Sequence, residues 1–156
     1  MTRGTLAPSR WFAVALLLAA CGPVGPIPGG PLWGEEVIDP VDDWSFASRH
    51  QKIQLETRPD SPYSVNVWCV VHEGRLYIPS GKPKGKRWVL NILENDRVRV
   101  RISGDVYLTR AVRVTDPDEL RAAVELYMAK YNVPDPDLPA SAREVWFFRI
   151  DPRSNG

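Results

Sequence analysis

Residues 86–103, KRWVLNILENDRVRVRIS, change period half-way along, and that change decides the fold. Up to Glu94, Trp88 or Val89 recurs with Ile92 and Leu93 at helical spacing, so residues 85–94 read as a short helix. From Arg97 to Ser103 the pattern alternates strictly. Val98, Val100 and Ile102 face one way and Arg97, Arg99 and Arg101 the other, the period of a strand with one face in a core. Gly104-Asp105 then marks a turn, and residues 106–114 return as the second arm of a hairpin.

The flanking sequence supplies more strands. Residues 49–58 alternate around Ile53 and Leu55, and Pro59-Asp60-Ser61-Pro62 is a turn cluster. Residues 64–71, SVNVWCVV, place Val65, Val67, Cys69 and Val71 on one face, with Asn66, Trp68 and Val70 on the other. Glu73-Gly74 turns this strand into residues 75–79 as a hairpin. Downstream, Asp116-Pro117-Asp118-Glu119 is a helix start with an N-cap, proline in the first turn and acids at the positive end of the dipole. Leu120, Val124, Tyr127 and Tyr131 form its apolar stripe, and residues 143–150 are a last strand. The expectation is a mainly β, α+β chain: a six-stranded antiparallel barrel or sandwich with two helices, over residues 44–152.

The N-terminus reads as an address. Arg3 and Arg10 precede an apolar run from Trp11 to Ala20, which is too short for a spanning helix of about 20 residues. The run ends in Leu18-Ala19-Ala20-Cys21, which resembles the lipobox of bacterial lipoproteins. That resemblance implies a signal over residues 1–20, cleavage before Cys21 and acylation of Cys21. The implied location is the cell envelope, on the periplasmic face of the outer membrane in a diderm host. Residues 21–43 then hold the acylated cysteine and a stretch rich in Pro and Gly, which reads as a tether.

The 156 residues carry 20 Lys+Arg against 19 Asp+Glu, so bulk charge gives no grip on nucleic acid. Once Cys21 is acylated, Cys69 is the one cysteine left for thiol chemistry, and its apolar setting makes it a buried thiol. His50 and His72 have no acid-rich cluster near them, so no metal site is expected.

Two stretches carry a second resemblance. They are the hairpin of residues 63–78, YSVNVW followed by EGRLYI, and the basic loop, helix and strand of residues 86–98, KRWVLNILENDRV. Together they resemble the pyridoxamine 5'-phosphate oxidase-like split β-barrels. The resemblance implies a homodimer binding FMN or a deazaflavin, with the loop's basic and hydroxyl residues holding the cofactor phosphate. It carries over to Arg87 as the loop arginine and Ser80 as the strand-end hydroxyl, with Asn66 and Trp68 near the flavin ring. Trp88 stands where the family has a lysine, and Lys86 where it has a hydroxyl. Read by itself, the loop gathers Lys82, Lys84, Lys86 and Arg87 with two glycines at a helix start. That suits a phosphate, an anionic lipid headgroup or a carboxylate, and equally a solvated loop. Two functions are therefore expected: a membrane-anchored flavin oxidoreductase, or a non-catalytic split-barrel lipoprotein serving as a ligand-binding or envelope-interaction module.

Overall fold

A computed structural model of the chain describes residues 22–133 and 145–153. Within them lie β1 (Glu35–Val37), β2 (Lys52–Thr57), β3 (Tyr63–Trp68), β4 (Val70–His72), β5 (Arg75–Gly81), α1 (Arg87–Glu94), β6 (Arg97–Ile102), β7 (Asp105–Arg113), α2 (Pro117–Tyr131) and β8 (Val145–Pro152). Seven strands make one curled antiparallel sheet in the order β3-β2-β6-β7-β8-β5-β4, and β1 pairs in parallel with β7. The mainly β reading holds, with two α-helices among the described residues.

The strand count differs from six for two reasons. The expected strand of residues 64–71 is divided at Cys69: β3 pairs with β2, while β4 pairs with β5. Val67, Cys69 and Val70 are all buried, so the alternation slips by one at the break. Because β3 and β4 are consecutive in the chain yet terminate opposite ends of the sheet, this run closes the half-barrel on itself. The break is tied down from the last turn of α2. Lys130 Nζ donates to the carbonyls of His50, at 2.6 Å, and Cys69, at 2.9 Å, and Tyr131 Oη lies 2.8 Å from the Cys69 carbonyl. Those bonds satisfy backbone groups that a continuous ladder would have paired.

β1 is the second reason, and it corrects the tether reading. Residues 22–37 lie along the barrel. Leu32 is buried, Gly29 and Ser64 exchange two backbone hydrogen bonds of 2.9 Å, and Ser64 Oγ donates to the Gly30 carbonyl at 2.6 Å. Gly34 passes so near Gly104 that a Cβ there would lie 2.0 Å from the Gly104 carbonyl oxygen. Glu56, itself buried, accepts from Leu32 N–H at 2.6 Å and from Arg99 at 2.8 Å through both Nε and Nη2. Arg99 also reaches Glu36, at 2.6 Å, and the Leu32 carbonyl, at 2.8 Å. The Pro/Gly composition correctly signals that this stretch has no core of its own; it borrows the barrel's. Packing on the barrel thus extends upstream of residue 44, over residues 22–37. The signal of residues 1–20, Cys21 and residues 134–144 lie outside the described residues.

The barrel interior is filled from the inward faces of the strands: Ile53, Leu55, Val98, Val100, Phe148 and Ile150 are nearly inaccessible, and α1 adds Val89 and Ile92. On the outside, α2 covers Val70, Tyr77 and Phe147 through Ala123, its stripe completed by Leu120, Val124, Tyr127 and Tyr131 as expected. Asp116 caps it as read from the sequence, accepting from Asp118 N–H at 3.1 Å and Glu119 N–H at 2.9 Å. The Cys69 thiol is buried, and burial raises its pKa. The arginine stripe is largely paired: Arg99 as above, Arg101 with Gln54 at 2.9 Å, Arg110 with Asp96 at 2.6 Å, and Arg113 over the Trp146 ring at 3.6 Å.

Candidate functional site

A groove of about 540 Å³ opens where β3, the end of β5 and the start of α1 meet. Each of these elements delivers side chains there. Asn66 and Trp68 come from the outward face of β3, Ser80 from the last residues of β5, and Lys86 from the residue that opens α1. Trp88 and Tyr127 add aromatic walls, and Lys52 a second cation. The volume falls within the range of ~300–1,000 Å³ typical of small-ligand pockets.

Four of the seven residues expected at a cofactor site are therefore together: Ser80, Lys86, Asn66 and Trp68. The other three are not among its lining residues. Lys82 adopts a left-handed backbone ahead of a 3-10 turn over Pro83–Gly85, and Lys84 lies within that turn. The extra loop length thus goes into a turn of its own. Arg87 places its guanidinium over the Tyr63 ring, 4.9 Å from the centroid.

The chemistry of the groove is that of an anion site with stacking surfaces. Among the described residues, Lys52 and Lys86 line it and no carboxylate does. Ser80 Oγ is buried with no hydrogen-bond partner, an unmade bond that a ligand oxygen can complete. No side chain caps α1, so the positive end of its dipole faces the Lys86 side of the groove. Trp68, 41 % exposed, stacks on Tyr131 at 4.9 Å and 12° and lies 5.8 Å from Tyr127. The Asn66 amide nitrogen is engaged by the N-terminal segment, donating to the Pro23 carbonyl at 3.3 Å and the Gly25 carbonyl at 3.0 Å. Gly25 and Pro26 in turn form one rim.

Lys52, Tyr127 and the Gly25-Pro26 rim were not anticipated. Tyr127 carried a signal, its place in the α2 stripe, but only the docking of α2 beside β4 brings it to Trp68. Among the described residues no group of three His, Cys, Asp or Glu side chains could hold a metal, and no helix is long and apolar enough to cross a membrane.

Burial holds the phenol of Tyr131 up at about 12, and burial with a 2.8 Å hydrogen bond to Glu119 does the same for Tyr77. Both sit above the ordinary value of 10, so folding favours the protonated phenol. The associated stability is complete below pH 10 and is lost as pH climbs from 10 to 12. Absorbance at 295 nm against pH should show part of the tyrosine signal appearing only near pH 12, with loss of the fold in the same window. Complete titration around pH 10 with the fold intact would contradict these environments.

No protein-family model matches the chain, and no curated protein sequence does. Solved structures do. A Listeria innocua protein provisionally assigned as a pyridoxamine 5'-phosphate oxidase matches with a TM-score of 0.54 at 21 % identity, over 68 % of this chain and 86 % of that one. A conserved hypothetical protein from Mycobacterium tuberculosis matches with a TM-score of 0.57 at 18 % identity, over 77 % and 86 %. A Bacteroides thetaiotaomicron protein provisionally assigned to 5-nitroimidazole antibiotic resistance matches with a TM-score of 0.53 at 14 % identity, over 74 % and 83 %. At these identities the likeness defines the fold, which is the split β-barrel of the pyridoxamine 5'-phosphate oxidase-like proteins, as the two stretches around residues 63–78 and 86–98 had suggested.

Proposed function

We propose that this chain is an envelope protein, lipid-anchored through Cys21, whose groove takes a phosphate-bearing flavin, FMN or a deazaflavin, as the cofactor of an oxidoreductase. The single observation carrying the reading is the orphaned Ser80 Oγ at the wall of a groove with two lysines and aromatic faces. Those residues fit such a group. Ser80 and Lys86 would hold the phosphate, Lys52 would add to the field, and Trp68 with Trp88 would offer faces to a ring. The bound flavin supplies the electron or hydride transfer, so the chain itself needs to bind, orient and exclude water. The fold is shared with a protein provisionally assigned as an oxidase, which is consistent with this reading.

A homodimer belongs to this reading. α1, which opens the groove, leaves Leu90 51 % and Leu93 54 % exposed, an apolar pair that a second copy would cover. The alternative, a non-catalytic ligand-binding or envelope-interaction module, is favoured by one observation. Arg87, the family's loop arginine, is committed to Tyr63 rather than to the groove.

The experiment is a visible absorption spectrum of the purified chain followed by titration with FMN, FAD and a deazaflavin. Saturable uptake, weakened about tenfold or more in Lys86→Glu and also reduced in Ser80→Val, is the expected result; one charge-assisted phosphate contact accounts for a change of that size. A colourless protein that ignores all three removes the oxidoreductase and leaves the binding module.

A further inference from the structure

Val24–Ile27 is a closed turn: Val24 N–H donates to the Ile27 carbonyl at 3.1 Å and Ile27 N–H to the Val24 carbonyl at 2.9 Å, with Gly25 in the left-handed region. The Asn66 amide pins this turn to the barrel. Yet Val24 and Ile27 are each 66 % exposed, and Trp33 is 65 % exposed. A fixed turn that holds the Val24 and Ile27 side chains largely in water marks an apolar surface that a partner can cover. Val24 and Trp33 share a hollow of about 330 Å³ with Gly22 and Arg101. Arg101 places Nη1 on Gln54 but keeps a buried Nε with no hydrogen-bond partner. A guanidinium that lines an apolar-rimmed hollow and keeps one N–H without an acceptor is complementary to an oxyanion attached to an apolar body.

We propose that this knuckle is a phospholipid-contact surface, with Val24, Ile27 and Trp33 entering the boundary between headgroups and acyl chains while Arg101 donates to a headgroup phosphate. What precedes the knuckle selects the occupant. The chain reaches Gly22 through the apolar run of residues 11–20 and Cys21, and Gly22 is seated against Leu32 and Gln54. An acylated Cys21 would have no slack before the barrel, so the first surface to meet the bilayer is the knuckle. Tryptophan suits that depth, its ring apolar and its N–H wet. The setting rests on the anchor proposed above, and the contact surface is testable without it.

The chain from residue 22 onward contains every described residue and carries no lipid. Mixed with vesicles of phosphatidylethanolamine and phosphatidylglycerol, it should co-sediment saturably, with a blue shift of tryptophan emission that is absent in Trp33→Phe. Val24→Asp with Ile27→Asp should weaken partitioning by about tenfold or more, since both side chains then have to stay in water. Both positions are exposed, and an unchanged circular dichroism spectrum would show the fold intact; Trp33→Ser is a second variant expected to weaken sedimentation. Arg101→Gln should reduce sedimentation, and inorganic phosphate should not displace the protein. Absence of binding by the parent chain, or undiminished binding by the double variant, overturns the proposal. Displacement by inorganic phosphate overturns it in favour of a soluble-anion site. Acyl labelling of the full chain and of Cys21→Ala reads the anchor separately, so either can fail alone.

Discussion

Arg99→Ala should lower the free energy of unfolding by about 3 kcal/mol, because it leaves a buried carboxylate without its counter-charge. Glu56 and Arg99 retain 4 % and 21 % of side-chain exposure, and their contact is bidentate at 2.8 Å. With the guanidinium gone, Glu56 keeps the Leu32 N–H as its donor among the described residues, far short of what its lost hydration requires. The same change removes the donor to the Leu32 carbonyl, so the N-terminal segment loosens with it. The contrast is Glu36→Gln. Glu36 is 49 % exposed at its 2.6 Å contact with the same arginine, and there the cost should be about 0.5 kcal/mol. Urea unfolding and limited proteolysis of residues 22–34 read both effects. An Arg99→Ala midpoint indistinguishable from that of Glu36→Gln would show that solvent reaches Glu56 after all.

Phe148→Ala should cost about 4 kcal/mol, the middle of the range for removing a buried ring. Phe148 sits on β8 between Ile78 of β5 and Arg113 of β7, fully buried, with its ring 5.8 Å from Trp88 at 63°. The site cannot collapse easily, because β8 is held by ladders on both sides and α1 is seated on the sheet. Loss should appear as a lower urea midpoint at unchanged m. The ring also backs Trp88, one wall of the groove, so ligand affinity should fall along with stability. A cost under about 1 kcal/mol would mean that α1 settles into the space, and that Trp88 is not fixed by the core.

Much of the fold was legible because its signals are local. The switch of period at Glu94–Arg97, the Glu73-Gly74 turn and the Asp116 cap each depend on residues within one or two turns. Cys69 hid its strand break because the slip in alternation is compensated by Lys130 and Tyr131, some 60 positions away. The N-terminal segment was misread for the same reason. Its proline and glycine content describes what it cannot do alone, while its docking is decided by Glu56, Arg99 and Gly104. In the candidate site, Ser80, Asn66 and Trp68 followed from the family resemblance, and Lys86 from the charge of the loop itself. Arg87 also followed from the resemblance, yet it lies over Tyr63, a preference that depends on how β3 meets α1. Whether these residues bind a flavin is the question put to titration above.

The parallel pairing of β1 with β7 also orders events in time. A chain made or exported from its N-terminus presents residues 22–37 first, but several of their partners come much later: the Leu32 carbonyl waits for Arg99, 67 positions on, and β1 for a finished β6–β7 hairpin. Until then the segment is a loose leash, as its composition suggests. It becomes a strap once the barrel exists, so the leash state belongs to a newborn chain and the strap to a mature one.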